Sequence, residues 1–206
     1  MLSSQQRLLS SGRRLINALC HILVFFVLSA FMVPWHEIAG HGLAGVLCGG
    51  TITKFHVFGL QFVPDFRWIG LVGGLGVCKV TGISEWAMNF NRMAGSMSTF
   101  IVAVIAVFIL WKFRPQGLKL TATLAITLWA IDLMTFTLPS FGIRRYIWSG
   151  TQWSEPYVGA VGLGIPGPVF QAFVVVAFLA VVVFVVLGLR RITSTNEKGN
   201  WPRHRV

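Results

Sequence analysis

One short segment holds most of the side chains that are suited to chemistry. It reads P-W-H-E-I-A-G-H-G-L-A-G and contains His36, Glu37 and His41. The segment is apolar apart from these three residues, and an ionisable group at membrane depth is costly unless it is paired or hydrated. Imidazole nitrogens and carboxylate oxygens are common zinc ligands. Because a His-Glu-His trio is a poor use of apolar helix surface, we expect it to bind a metal ion, with Zn²⁺ as the first choice.

The spacing of the trio differs by one residue from H-E-x-x-H, in which two histidines one turn apart bind zinc and the glutamate is the general base. In H-E-x-x-x-H the imidazoles lie roughly 140° apart on a regular α-helix. Three local structures would restore a ligand pair. A π-bulge at Gly40 would absorb the extra residue; a helix that begins at Glu37 would leave His36 on a flexible corner; or Glu37 and His41, four residues apart, would themselves be the pair.

The other ionisable residues are sparse. Asp132 is the only acid besides Glu37 inside an apolar stretch, which makes it a second functional candidate. The remaining acids fall in connecting segments or the tail: Asp65, Glu85, Glu155 and Glu197. His21 is expected to be hydrogen-bonded or interfacial, and His56 and His204 to be solvated.

The composition excludes a water-soluble globular protein. Of the 206 residues, 55% are hydrophobic and only 11% are charged. The 17 Lys and Arg against 6 Asp and Glu are scattered between apolar runs, as in loops that face an anionic membrane surface, so we expect no nucleic-acid partner. The three cysteines form no C-x-x-C pair, so neither a thiolate zinc site nor a disulfide framework is indicated.

The apolar pattern predicts an all-α polytopic membrane protein in the lipid bilayer, since about 20 apolar residues cross its core. A single transmembrane domain, 15–191, lies between a basic head, 1–14, and a mobile basic tail, 192–206. Within it we predict four full spans, at 15–34, 93–111, 120–138 and 168–189. A short metal-motif helix, 35–48, continues the first span or re-enters the membrane. A strand-like or re-entrant region covers 49–90.

Charge asymmetry predicts the orientation of these spans. With four crossings, the head, the 112–119 loop and the segment 190–206 share one side and carry 3, 3 and 5 basic residues, against 6 on the other side. The positive-inside rule then places both termini in the cytoplasm. His36, His41 and the residues around position 155 would lie toward the opposite face.

Several motifs resemble the site-2 protease family of intramembrane zinc metalloproteases, in particular its small bacterial members without a PDZ domain. Residues 36–52 read H-E-I-A-G-H-G-L-A-G-V-L-C-G-G-T-I, similar to the family's metal helix and the Gly-Gly turn that leads into a strand. Met93-Ala94-Gly95-Ser96 is similar to the Ala-Gly that opens the next span. Ser154-Glu155, followed by Gly164-Ile165-Pro166 and a long apolar helix, is similar to a Ser-Asp…Gly-Ile-Pro pattern. The resemblance implies a bacterial inner membrane protein.

Two features depart from the family pattern. One is the extra residue in the metal motif. The other is the absence of the Asn-Pro-x-x-Asp-Gly motif, whose Asp is the third metal ligand in the wider family. Glu155 occupies the place of the Ser-Asp aspartate and is one candidate for this ligand; Asp132 is the other.

The resemblance implies proteolysis within the membrane. Zinc held by His36, His41 and a third ligand would activate a water molecule, and Glu37 would pass its proton to the leaving amine. The substrate would be a peptide bond in or near the transmembrane segment of another protein, locally unwound and held extended by edge pairing with Thr51–Val63.

Two other functions remain open at this stage. One is a non-catalytic membrane binding or regulatory protein of the same fold that has lost the metal. The other is a small proton-coupled transporter in which Glu37 and Asp132 relay protons.

Overall fold

Four long helical stretches dominate the protein. The computed structural model describes residues 4–70, 75–145 and 153–199, with side chains between residues 14 and 194. Within the described residues, four stretches are long and apolar enough to cross a membrane: Arg14–Leu47, Glu85–Phe113, Gly117–Phe141 and Gly167–Ser194. The four predicted apolar spans are therefore helices of sufficient length.

The first stretch carries the metal motif at its end. It consists of α1 (Ser4–Trp35), a π-helix (His36–Gly42) and α2 (Leu43–Leu47), which follow one another without a break. The segment predicted as the metal-motif helix is thus a continuation of the first span. Helix α1 also begins at Ser4, so most of the predicted head is helical; residues 1–3 lie outside the described residues.

A small antiparallel sheet follows α2. Its strands are β1 (Thr51–Val57), β2 (Leu60–Val63), β3 (Arg67–Trp68) and β4 (Gly76–Thr81), in the order β3-β2-β1-β4. Phe58 and Gly59 both have positive φ, as a two-residue hairpin turn between β1 and β2 requires. The predicted strand-like region is a sheet, but it ends at residue 81 rather than 90, because the Ser84 side chain caps a helix that begins at Glu85.

The sheet order bears on the prediction about substrate binding. Strand β1 pairs with β4 along most of its length but with β2 only over Phe55–Val57, and β2 pairs with β3 only at Leu60 and Gln61. Thr51–Lys54 therefore have a neighbour on one side among the described residues, and edge pairing of Thr51–Val63 with a substrate stays a prediction. The edges of the sheet are β3 and β4, and β4 packs against the π-helix.

Helix α3 (Glu85–Phe113) forms the centre of the bundle. It contacts the π-helix and four later helices, which are α4 (Gly117–Thr127), α5 (Ala130–Thr137), α6 (Glu155–Gly162) and α7 (Gly167–Gly199). Helix α7 runs past the predicted end of the last span, since no proline or glycine interrupts it between Arg190 and Gly199. Residues 192–199 of the predicted tail are therefore helical, and 200–206 lie outside the described residues.

Glycines bring α6 close to α3. A side-chain carbon at Gly159 would meet the backbone oxygen of Asn89 at 2.5 Å, and one at Gly162 would meet the Asn89 side chain. Only glycine permits this approach. The close contact holds the first residue of α6, Glu155, next to the end of the first span.

Candidate metal centre

The π-helix brings the two histidines of the motif together. The Nε2 atoms of His36 and His41 lie 3.2 Å apart, and both side chains are buried. Of the three local structures considered for H-E-x-x-x-H, the structure has the first. A π-helix turns less per residue than an α-helix, so residues five apart lie on one face. Gly40 lies at the point where the π-helix touches Gly95 of α3, and a side-chain carbon there would meet the Gly95 backbone.

His36 is held by a carboxylate. Its Nδ1 lies 2.7 Å from Oδ2 of Asp132 on α5, and the Thr99 hydroxyl donates to the same oxygen at 2.8 Å. All three side chains are buried. Since a carboxylate oxygen accepts, His36 donates from Nδ1.

His41 is held by the backbone of α3. Its Nδ1 donates to the carbonyl oxygen of Asn91 at 2.8 Å. The Asn91 side-chain amide donates in return to the carbonyl oxygen of His41 at 2.6 Å. These reciprocal bonds fix both the ring and the backbone of His41.

The two Nδ1 contacts determine what the Nε2 atoms can do. In a neutral imidazole only one nitrogen carries a proton. Because both protons are on Nδ1, both Nε2 atoms present lone pairs to each other across 3.2 Å. Such an arrangement requires a cation or an added proton between them. Two nitrogen ligands at about 2.0–2.1 Å from one tetrahedral Zn²⁺ stand about 3.3 Å apart, so the pair fits this metal.

Glu155 completes a group of three residues that could hold a metal ion. Its Oε2 lies 3.7 Å from Nε2 of His41, and the ligand atoms of His36, His41 and Glu155 all lie within 4.8 Å of one another. Three protein ligands with an open fourth position are typical of catalytic rather than structural zinc sites. The Glu155 side chain is 38% exposed, so the group is open on this side.

A glycine on α3 lets that helix pack closely against the two rings. A side-chain carbon at Gly95 would lie 2.5 Å from Nε2 of His36 and 2.5 Å from Nε2 of His41. Any residue larger than glycine at this position would therefore collide with both imidazoles.

The two remaining sequence candidates lie around this group, not in it. Asp132 contacts the opposite edge of the His36 ring and is a hydrogen-bond partner of that candidate ligand. Glu37 is buried and points toward β4, where a side-chain carbon at Gly76 would lie 3.0 Å from its Oε1. The structure thus brings His36, His41 and Glu155 together, with Glu37 beside them and Asp132 behind His36.

Sequence reasoning missed two supporting residues, Asn91 and Thr99, and misjudged His56. Asn91 and Thr99 are polar residues buried on α3, and their spacing from Gly95 is the only signal the sequence offered.

His56 was expected to be solvated but is 1% exposed, and neither ring nitrogen has a hydrogen-bond partner among the described residues. Burial and the nearby Lys54 lower the pKa of His56 below its usual value.

Comparison with known proteins gives no further assignment: no protein-family model, no curated protein and no solved structure matches the chain.

Proposed function

We propose that this protein is an intramembrane zinc metalloprotease similar to the site-2 proteases. One observation carries the proposal. Two buried imidazoles, each donating from Nδ1, have their unprotonated Nε2 atoms 3.2 Å apart, and the Glu155 carboxylate lies nearby. When bound, Zn²⁺ would supply an activated water molecule at neutral pH.

The residues of the site divide into two roles. His36, His41 and Glu155 would hold the metal ion. Glu37 follows a ligand directly in the chain but lies outside the ligand group, so its carboxylate is available to take a proton and return it to the leaving amine. Its burial keeps bulk water from competing for that proton.

The surroundings fit a substrate that is itself embedded in the bilayer. The ligand-bearing π-helix lies within an apolar stretch of 34 residues. Strand β4 is an edge strand, and its residues Gly76 and Cys78 lie against Glu37. An extended peptide added to this edge would pass the proposed base. We therefore propose as substrate a locally unwound transmembrane segment of another protein. We further propose that the enzyme lies in a bacterial inner membrane with both termini in the cytoplasm.

The two rival functions make different demands on the same residues. A proton relay would need a hydrogen-bonded path that joins Asp132 to Glu37, whereas the described hydrogen bonds of the Asp132 carboxylate lead to His36 and Thr99. The non-catalytic alternative requires that the protein has lost its metal ion. Bound metal in the purified protein would therefore argue against this alternative, and its absence would support it.

The test pairs metal content with cleavage. Detergent-purified protein is assayed for zinc, and cleavage is followed on a panel of tagged single-span membrane proteins. We expect wild-type protein to hold one zinc ion and to cleave at least one substrate, and Glu37→Gln to keep the zinc and lose cleavage. Asp65→Asn, which changes an exposed acid in the same way, is the matched control and should cleave normally. Purified wild-type protein without metal would support the non-catalytic alternative, and unchanged cleavage by Glu37→Gln would exclude that residue as the base.

A further inference from the structure

Three residues of α3 form a line along one face of the helix. Asn91, Gly95 and Thr99 follow one another at intervals of four, a spacing that places side chains on one side of an α-helix. Each of the three contacts a different part of the metal centre. Asn91 hydrogen-bonds His41, Gly95 packs against both Nε2 atoms, and Thr99 hydrogen-bonds Asp132.

We propose that this line, together with Asp132, is a positioning device that sets metal affinity. It fixes both histidines in the tautomer that leaves Nε2 free, before any metal ion arrives. Asp132 is then a positioning residue that acts through His36, and Thr99 acts through Asp132. The proposal rests on the metal-binding part of the proposed function and does not depend on proteolysis.

The hydrogen bonds show why Asp132 determines the state of His36. An imidazole that faced this carboxylate with an unprotonated Nδ1 would place a lone pair against a negative oxygen at 2.7 Å. The carboxylate therefore selects the Nδ1–H form and makes Nε2 a better electron donor. His41 needs no such charge, because the Asn91 carbonyl can only accept and selects the same tautomer.

Thr99 completes the arrangement around Asp132. Its single hydroxyl proton has two acceptors at 2.8 Å, Oδ2 of Asp132 and the backbone oxygen of Ser96. The charged carboxylate is the stronger acceptor. Thr99 therefore holds the carboxylate against His36, and its removal should weaken the positioning without abolishing it.

The experiment compares four variants for zinc affinity, measured by competition with a fluorescent chelator. Asp132→Ala removes both acceptor and charge and should weaken zinc binding by about 100-fold, whereas Asp132→Asn keeps an acceptor oxygen and should weaken it by about 10-fold. Thr99→Val should weaken zinc binding by a few-fold. Thr127→Val is the matched control, because Thr127 is also buried and, among the described residues, its hydroxyl donates to the Leu124 carbonyl of its own helix. The zinc affinity of this variant should equal that of the wild type.

A second readout separates positioning from folding. In metal-free protein with ¹⁵N-labelled histidine, nitrogen chemical shifts report which ring nitrogen carries the proton. We expect His36 to be in the Nδ1–H form in wild type and in Thr127→Val, and to become a mixture of tautomers in Asp132→Ala. If Asp132→Ala binds zinc like the wild type, or Asp132→Asn loses zinc as completely as His36→Ala does, the positioning role is wrong. A wild-type protein that binds zinc but cleaves nothing would contradict the protease and leave this proposal standing.

Discussion

Nε2 of His36 lies 3.2 Å from Nε2 of His41, although four residues separate the two in the chain. On an α-helix these rings would face different surroundings. The seven-residue π-helix His36–Gly42 absorbs the extra residue and restores the convergence that H-E-x-x-H achieves on a regular helix.

Deleting Ala39 should leave zinc binding intact. The deletion converts the motif to H-E-x-x-H, and a regular α-helix would then place the same two imidazoles on one face. We expect one zinc ion per chain and an affinity within about tenfold of the wild type. Inserting an alanine after Ala39 is the opposing control and should abolish binding, since no single π-turn can absorb two residues. If the deletion variant failed to bind zinc while the insertion variant still bound it, the metal would be held by another geometry.

Replacing Gly95 by alanine should disrupt the metal centre. The added carbon would lie 2.5 Å from both Nε2 atoms, so the two rings would have to move out of their present positions. We expect a loss of zinc affinity of at least about 100-fold, measured by chelator competition. Ser96→Ala, at the next position and equally buried, removes a hydroxyl without a hydrogen-bond partner among the described residues and should bind zinc normally. A folded Gly95→Ala protein with full zinc affinity would place the metal elsewhere.

His56 should make the protein less stable in mild acid. Its pKa in the folded state lies below the ordinary value of 6.5, because of burial and Lys54. As the pH falls below this ordinary value, the unfolded chain takes up a proton that the folded protein does not, so stability decreases until the pH reaches the lowered folded pKa. His56→Leu should remove this part of the decrease, and Lys54→Met should reduce it. The measurement is the thermal unfolding temperature between pH 7.5 and 5. If wild type and His56→Leu showed the same dependence of this temperature on pH, the prediction would be wrong.

Cys78 should react slowly with thiol reagents until the pH is high. Burial raises the pKa of the Cys78 thiol to about 11, and the neighbouring Glu37 carboxylate contributes to the rise. Since the thiolate is the reactive form, alkylation should accelerate about tenfold per pH unit between pH 8 and 10. Glu37→Gln should speed alkylation at fixed pH, while labelling of Cys48 should not respond to that change. A rate at Cys78 that levels off below pH 9 would show that its thiol is not shielded in this way.

Much of the architecture could be predicted from the pattern of apolar residues along the chain. The apolar runs predicted the four long helices because burial in lipid leaves little choice but a helix. The alternation after Gly50 predicted strands. The order of those strands could not be read in the same way, since alternation shows that a strand has two faces but not which strands lie beside it. The position of β4 beside Glu37 was therefore not predicted.

The site could be predicted only in part. The motif predicted His36, Glu37 and His41 because ionisable groups in apolar sequence are rare. Glu155 and Asp132 could not be told apart, since the choice depends on how α6 and α5 pack against the π-helix. Asn91 and Thr99 escaped notice because a single polar residue on a long helix acquires a meaning only when its tertiary partner is known.

X-ray absorption at the zinc edge on purified wild-type protein tests the central claim most directly, namely that both histidines bind one ion. We predict one zinc ion per chain with two imidazole nitrogens at about 2.0–2.1 Å and oxygen ligands in the remaining positions, and loss of one imidazole in His41→Ala. A wild-type protein without bound metal, or a zinc ion whose ligand shell is unchanged in both His36→Ala and His41→Ala, would contradict it.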